Sequence, residues 1–245
     1  MTARTAGDDG ARRPLLSGVP VIAVVAMLSA AAVWALVHRA ELVTLDQSAA
    51  SVSADGPEAF GVDRLPSQLP DVGAFARATV RPDGDVVVDQ WVRTARPVTR
   101  VTLKLPLGSP ASGTAEEIEV TSADGAATGP SEVMSTGSYL VARPTTVFRA
   151  RYVLSGVTEV SPSSSTRALV RSVALSVEAT GRGRATGAGP RLISVESASV
   201  LALACSVPGD ESTLTPCGEP DDAGWRVELG SARRSDLVAA QVELG

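Results

Sequence analysis

The chain has 245 residues, a formal net charge of −5, and a composition that is 44% hydrophobic but only 3% aromatic. A negative chain with so few rings offers nothing to nucleic acid and must build its core from Val, Leu and Ala. Its single histidine, His38, lies far from the rest of the candidate chemistry, so zinc sites and Ser–His or Cys–His pairs are excluded from the bulk of the chain, and no cofactor is expected.

Residues 1–14 read as a cytoplasmic tail. Residues 15–37, LLSGVPVIAVVAMLSAAAVWALV, run 23 positions without a charge. At ~1.5 Å per residue such a helix crosses a ~30 Å hydrocarbon core, with Pro20 near its first turn and Trp34 near the far interface. Arg4, Arg12 and Arg13 precede the segment, which predicts a single-pass anchor with its amino end in the cytoplasm and everything after Val37 outside the cell membrane. The alternative is a cleaved signal, for which Ala30-Ala31-Ala32 offers a cleavage match and Arg12-Arg13 a faint twin-arginine start, but the apolar run is long for that role.

Residues 38–71 are rich in Ala, Ser, Asp and Pro and have no sustained period, as expected of a stalk. Residues 72–245 change to short alternating runs separated by Gly, Pro and Ser, which predicts an all-β domain: an antiparallel β-sandwich, Ig-like or related, preceded by one transmembrane helix. AFARATVR, then Pro82-Asp83-Gly84-Asp85, then VVVDQWVR reads as a hairpin. Val101, Leu103 and Leu105 alternate with Thr102 and Lys104; Phe148, Ala150, Tyr152 and Leu154 alternate with Arg149 and Arg151. Further on, Val173, Leu175 and Val177 oppose Ser172, Ser176 and Glu178, and Val238, Ala240, Val242 and Leu244 oppose Gln241 and Glu243. The chain contains no Asn and only one Lys, Lys104, a bias that a GC-rich genome imposes and that points to an actinobacterium.

The order VRPDGDVVVDQWV, a strand ending in LKLP, VFRARYVLSGV and RALVRSVALSV resembles the exported β domains of actinobacterial membrane proteins of unknown function. The resemblance covers about residues 74–178 of this chain. It implies fold and topology and carries over no functional residue.

Cys205 and Cys217, the two cysteines of the chain, flank a turn-rich loop and predict a structural disulfide in an oxidising compartment. Lys104 falls on a wet strand face, and the acid pairs Glu116-Glu117, Asp221-Asp222 and Asp83 with Asp85 fall in turns, so no catalytic residue and no metal site is expected. The charge is uneven. Residues 139–191 hold eight Arg against Glu159 and Glu178, whereas residues 205–224 hold five acids and no base. Arg149, Arg151, Arg167 and Arg171 alternate with or flank core positions, and their placement on one sheet face would make an anion-binding site for cell-wall polymer, anionic lipid or an acidic envelope protein. The sequence therefore favours a non-enzymatic binding module outside the cytoplasmic membrane. A carboxylate-dependent hydrolase of the envelope and a structural subunit of a membrane complex are the alternatives.

Overall fold

The computed structural model describes residues 64–244 except 183, 186–188, 198–199, 208–209, 211–212, 223 and 234–235. The tail and the span at 15–37 lie outside the described residues, as does most of the stalk. No helix among the described residues is long and apolar enough to cross a membrane.

The domain is all-β. In chain order its first strands are β1 (Gly73–Val80), β2 (Val86–Lys104), β3 (Thr114–Ser122), β4 (Gly125–Ala126), β5 (Thr136–Ser155), β6 (Thr158–Val160), β7 (Arg167–Val170) and β8 (Ser176–Gly181). They continue as β9 (Arg184–Ala185), β10 (Arg191–Val195), β11 (Val200–Ser206), β12 (Thr215–Cys217), β13 (Glu219–Asp221), β14 (Gly224–Leu229) and β15 (Leu237–Glu243). A ten-stranded sheet runs β13-β14-β10-β1-β2-β5-β3-β4, with β8 and β9 attached beside the far half of β2, and a five-stranded sheet runs β12-β11-β15-β7-β6.

The expected hairpin forms. Val80 pairs with Val86, Arg81 N–H donates to Asp85 O at 2.8 Å, and Gly84 takes φ +91°, a conformation open to glycine. Alternation then places Ala76, Ala78, Val86, Val88, Phe148, Ala150 and Leu154 inward from the large sheet. Ala168, Val170, Leu203, Val238, Ala240 and Val242 point inward from the small one, and all of them share one buried cluster. The two sheets are therefore packed as a sandwich around a fine-grained aliphatic core, as the scarcity of rings requires. Among the described strands pairing is antiparallel except between β1 and β10, which run parallel; the long connection through β2 to β9 gives the chain room to return in the same direction.

Alternation fails at Ser172–Leu175. Ser172, Val173, Ala174 and Leu175 are all buried, with no wet face. This stretch is the crossover from β7 in the small sheet to β8 in the large one, and a chain passing through the end of the core is enclosed on every side. Its peptide groups need partners there. Tyr152 Oη accepts from Leu175 N–H at 2.8 Å, while Gln90 Nε2 and Arg191 Nη2 donate to Leu175 O at 3.3 and 3.0 Å. Tyr152 Oη donates in turn to Gln90 Oε1 at 2.7 Å. Alanines make room for these polar side chains: Ala76 and Ala150 flank Gln90, and Ala74 flanks Arg191.

The last part of the segment read as stalk is packed. Leu69 is buried, and with Leu65 it covers Phe75 and Trp91 on the outer face of the large sheet. Leu69 N–H donates to Pro66 O at 3.0 Å, closing the turn that brings it there. Folded structure thus starts before the first alternating strand.

Candidate functional site

The four arginines singled out by alternation do not share a face. Arg149 and Arg151 lie on β5 in the large sheet, Arg167 opens β7 in the small sheet, and Arg171 follows β7 directly. Since the inner faces of the sheets meet in the core, the outer faces that carry these side chains point in opposite directions.

Arg149 is nearly buried rather than solvated. Its Nε donates to Asp89 Oδ1 at 3.0 Å and its Nη2 donates to the same oxygen. Its guanidinium carbon lies 5.4 Å from the centroid of Trp91, which stacks on Phe75 at 5.9 Å. The strand pairing explains this: Arg149 is opposite Trp91, one step along from Asp89. A planar cation between a carboxylate and an indole is a satisfied structural unit. Arg151 is exposed, but its neighbours across the sheet are Asp89 and Glu119. Arg171 donates through Nε to Glu159 Oε2 at 3.0 Å, and Arg167 is paired in register with Glu243. Every one of the four has an acid beside it, so neither face is a polycation.

Arg191, expected within the basic stretch, points into the core. Burial pulls its pKa below the ordinary arginine value, and Tyr152 and Asp236 oppose that shift. Burial also pushes the Tyr152 phenol well above the usual tyrosine range, and it raises Tyr139 to about 12. Lys104 stays on the wet face and meets Glu178 at 2.8 Å. Among the described residues no group of three or more metal-ligating side chains converges. Of the acid pairs expected in turns, Asp83 and Asp85 are in one, where Asp83 accepts from Asp85 N–H at 3.1 Å; Glu116 and Glu117 lie instead within β3, at a bulge where Glu117 adopts φ +53°, and Asp221 ends β13 and meets Arg226 at 3.6 Å.

A depression of about 540 Å³ lies on the outer face of the small sheet. Register builds its floor. From Glu159 at the edge, Leu169, Gln241 and Ala202 follow one another across β6, β7, β15 and β11, and laterally paired residues share a face. The next row brings Ala204 beside Pro216 of β12. Alanine at 202 and 204 keeps the floor low, Leu214 and Pro216 form one wall, and Ser161, Pro162 and Ser163 after β6 form the other. The Cys205–Cys217 disulfide, with 5.8 Å between its Cα atoms, ties β12 to β11 and so fixes the Pro216 wall. Arg167 and Glu159 line the rim. The cysteine spacing made the bridge legible in the sequence. The groove was not, because its floor residues come from strands whose order no local pattern specifies.

No protein-family model matches the chain, and no curated protein matches its sequence. Among solved structures it is similar to an aminopeptidase N family protein from Idiomarina loihiensis, with 10% identity and a TM-score of 0.42 over 69% of this chain and 29% of that one. It is also similar to an M1 zinc metallopeptidase from Deinococcus radiodurans, with 12% identity and a TM-score of 0.30 over 71% and 42% of the respective chains. A leukotriene A4 hydrolase from Saccharomyces cerevisiae matches at 10% identity and a TM-score of 0.32, over 69% and 28%. The chain thus spans less than half the length of each of these structures, and similarity at this level assigns it neither activity nor family.

Proposed function

We propose that the chain is a membrane-anchored, non-enzymatic binding module outside the cytoplasmic membrane, held by residues 15–37, whose ligand surface is the groove on the outer face of the small sheet. The observation that carries this reading is the row that runs from Glu159 at the rim through Leu169, Gln241 and Ala202, with Ala204 beside it: a low floor, apolar but for Gln241, between the Pro216 wall and a rim that carries both charge signs in Glu159 and Arg167. A phosphate-rich polymer or anionic lipid would bring repeated negative charge against Glu159 and Glu243, whereas an extended segment of a partner polypeptide matches an apolar floor, hydroxyls and mixed charges. The partner we favour is therefore an envelope protein.

The test uses the full-length chain in its own membrane, with a photo-crosslinking residue at Gln241 in the groove or, as a control, at Arg151 on the opposite face. The reading expects one protein band crosslinked from position 241, absent from position 151, and abolished by Ala202→Trp, which fills the floor. Equal capture from both faces, capture unaffected by Ala202→Trp, or capture of wall polymer in place of protein would each overturn it.

A further inference from the structure

A second depression, of about 220 Å³, lies on the outer face of the large sheet. Strand register explains its position. On that face Ser194 of β10 is flanked by Arg77 of β1 and Arg226 of β14. Each arginine leans towards acids: Arg77 Nε meets Glu196 Oε1 at 3.0 Å, and Arg226 meets Glu219 and Asp221 at 3.5 and 3.6 Å. Two long side chains drawn aside leave the short serine between them as the low point. Gln68, carried by the turn from Pro66 to Leu69, and Phe75 join the lining.

The depression holds an unmet polar group. Ser194 is 7% exposed, and its hydroxyl has no hydrogen-bond partner among the described residues. A buried hydroxyl ordinarily finds a partner within the protein, and this one lines the depression instead. Charge decides what kind of ligand fits. Glu196, Glu219, Asp221 and Asp222 stand around the site against Arg77 and Arg226, an excess of two negative charges. Asp222 forms no ion pair among the described residues. An anion is repelled here, whereas a cation finds the Asp222 carboxylate and Ser194 Oγ as acceptors. Phe75 is 2% exposed, so it offers a small apolar contact for a stem but no open ring face on which a flat ligand could stack.

We propose that this depression binds a small organic cation: a primary ammonium or a guanidinium on a short apolar stem. The head donates to Ser194 Oγ and is neutralised by Asp222, and the stem lies against Phe75. Such a head is carried by a free amine or by a lysine or arginine side chain of another protein, and the two share this chemistry. The site is on the sheet opposite the groove and does not depend on what the groove holds.

The test titrates the full-length protein in phosphatidylcholine nanodiscs with n-butylammonium, 1-butanol or butyrate at constant ionic strength. Binding is read from saturation transfer to the methylene protons of the probe, with empty nanodiscs as the blank. Of the three, only butylammonium is expected to bind saturably. Asp222→Asn should weaken it about fivefold, the size of one exposed ion pair. Ser194→Ala should weaken it about tenfold, the loss of a hydrogen bond to a charged group, and should leave Tm unchanged because the hydroxyl bonds nothing in the fold. A lysine in a blocked Gly-Lys-Gly peptide that binds as butylammonium does supports the site with a protein side chain as its source; butylammonium binding without the peptide supports it with a free amine. No saturable binding, equal binding of 1-butanol, or an affinity for butylammonium unchanged in both variants overturns the proposal. A fall in Tm of about 2–4 °C in Ser194→Ala, the size of a lost internal hydrogen bond, overturns it as well.

Discussion

Replacing Tyr152 by Phe tests whether the core polar cluster holds the crossover. The hydroxyl makes two buried bonds, accepting from Leu175 N–H and donating to Gln90 Oε1. Tyr152 is 1% exposed and Gln90 0%, so water cannot replace the lost partner without opening the core. A buried polar group left unpaired costs about 1–3 kcal/mol. Gln90 keeps its bond to Leu175 O and can shift a little, so the expected loss lies between one and two such penalties, about 2–4 kcal/mol. In a domain of this size each kcal/mol lowers Tm by ~2–4 °C, giving a fall of about 5–15 °C. Urea titration of parent and variant, followed by Trp fluorescence, measures the difference directly. A change below about 0.5 kcal/mol, the ordinary size of a surface substitution, would refute the claim that this hydroxyl pins Leu175.

Both tyrosines of the chain are buried with raised pKa, so alkaline pH should unfold the domain. An unfolded tyrosine ionises near pH 10, but Tyr139 in the fold only at about 12. Above pH 10 the unfolded chain therefore binds fewer protons, and stability falls by up to ~1.4 kcal/mol per pH unit for each tyrosine; tyrosinate absorbance rising in step with unfolding checks this, and free titration of the native state near pH 10 would contradict it. Cys217→Ser should cost about 3 kcal/mol through the freed loop, whose ends are 12 residues apart, and should loosen the Pro216 wall, both read by urea titration under non-reducing conditions and by hydrogen exchange over residues 213–217. Arg149→Ala should destabilise by about 1–3 kcal/mol by stranding Asp89 and uncovering Trp91, whereas Arg151→Ala should stay within about 0.5 kcal/mol. Ala202→Trp should leave Tm nearly unchanged, since that position is only partly buried, while blocking the groove.

Local chemistry makes several features legible in the sequence. The turn at Pro82–Asp85, the inward sets on β2, β5 and β15, and the disulfide all follow from periodicity or spacing confined to one stretch of chain. The same period misplaces Arg149 and Ser172, for related reasons. Alternation says which residues share a face and nothing about what covers that face. Arg149 is outward on its strand, yet it is sealed by Trp91 and Asp89 from β2 and grouped with an aromatic pair that Leu65 and Leu69 close from outside. Ser172 belongs to a crossover, where the rule for one-faced burial lapses. Arg191 and Gln90 read as polar positions, and only the tertiary arrangement shows them turned inward to hold a peptide group that has left its own sheet.

The groove marks the same division. Composition by itself determined an aliphatic, ring-poor core, alternation over short runs determined a β domain, and the long uncharged segment at 15–37 marked the expected anchor. Strand order decided the rest. Glu159, Leu169, Gln241 and Ala202 are neighbours because β6, β7, β15 and β11 adjoin in one sheet, and Arg149 and Arg167 are on opposite faces because β5 and β7 do not. Pairing between distant strands depends on the free energy of the whole core, which no local run of residues encodes.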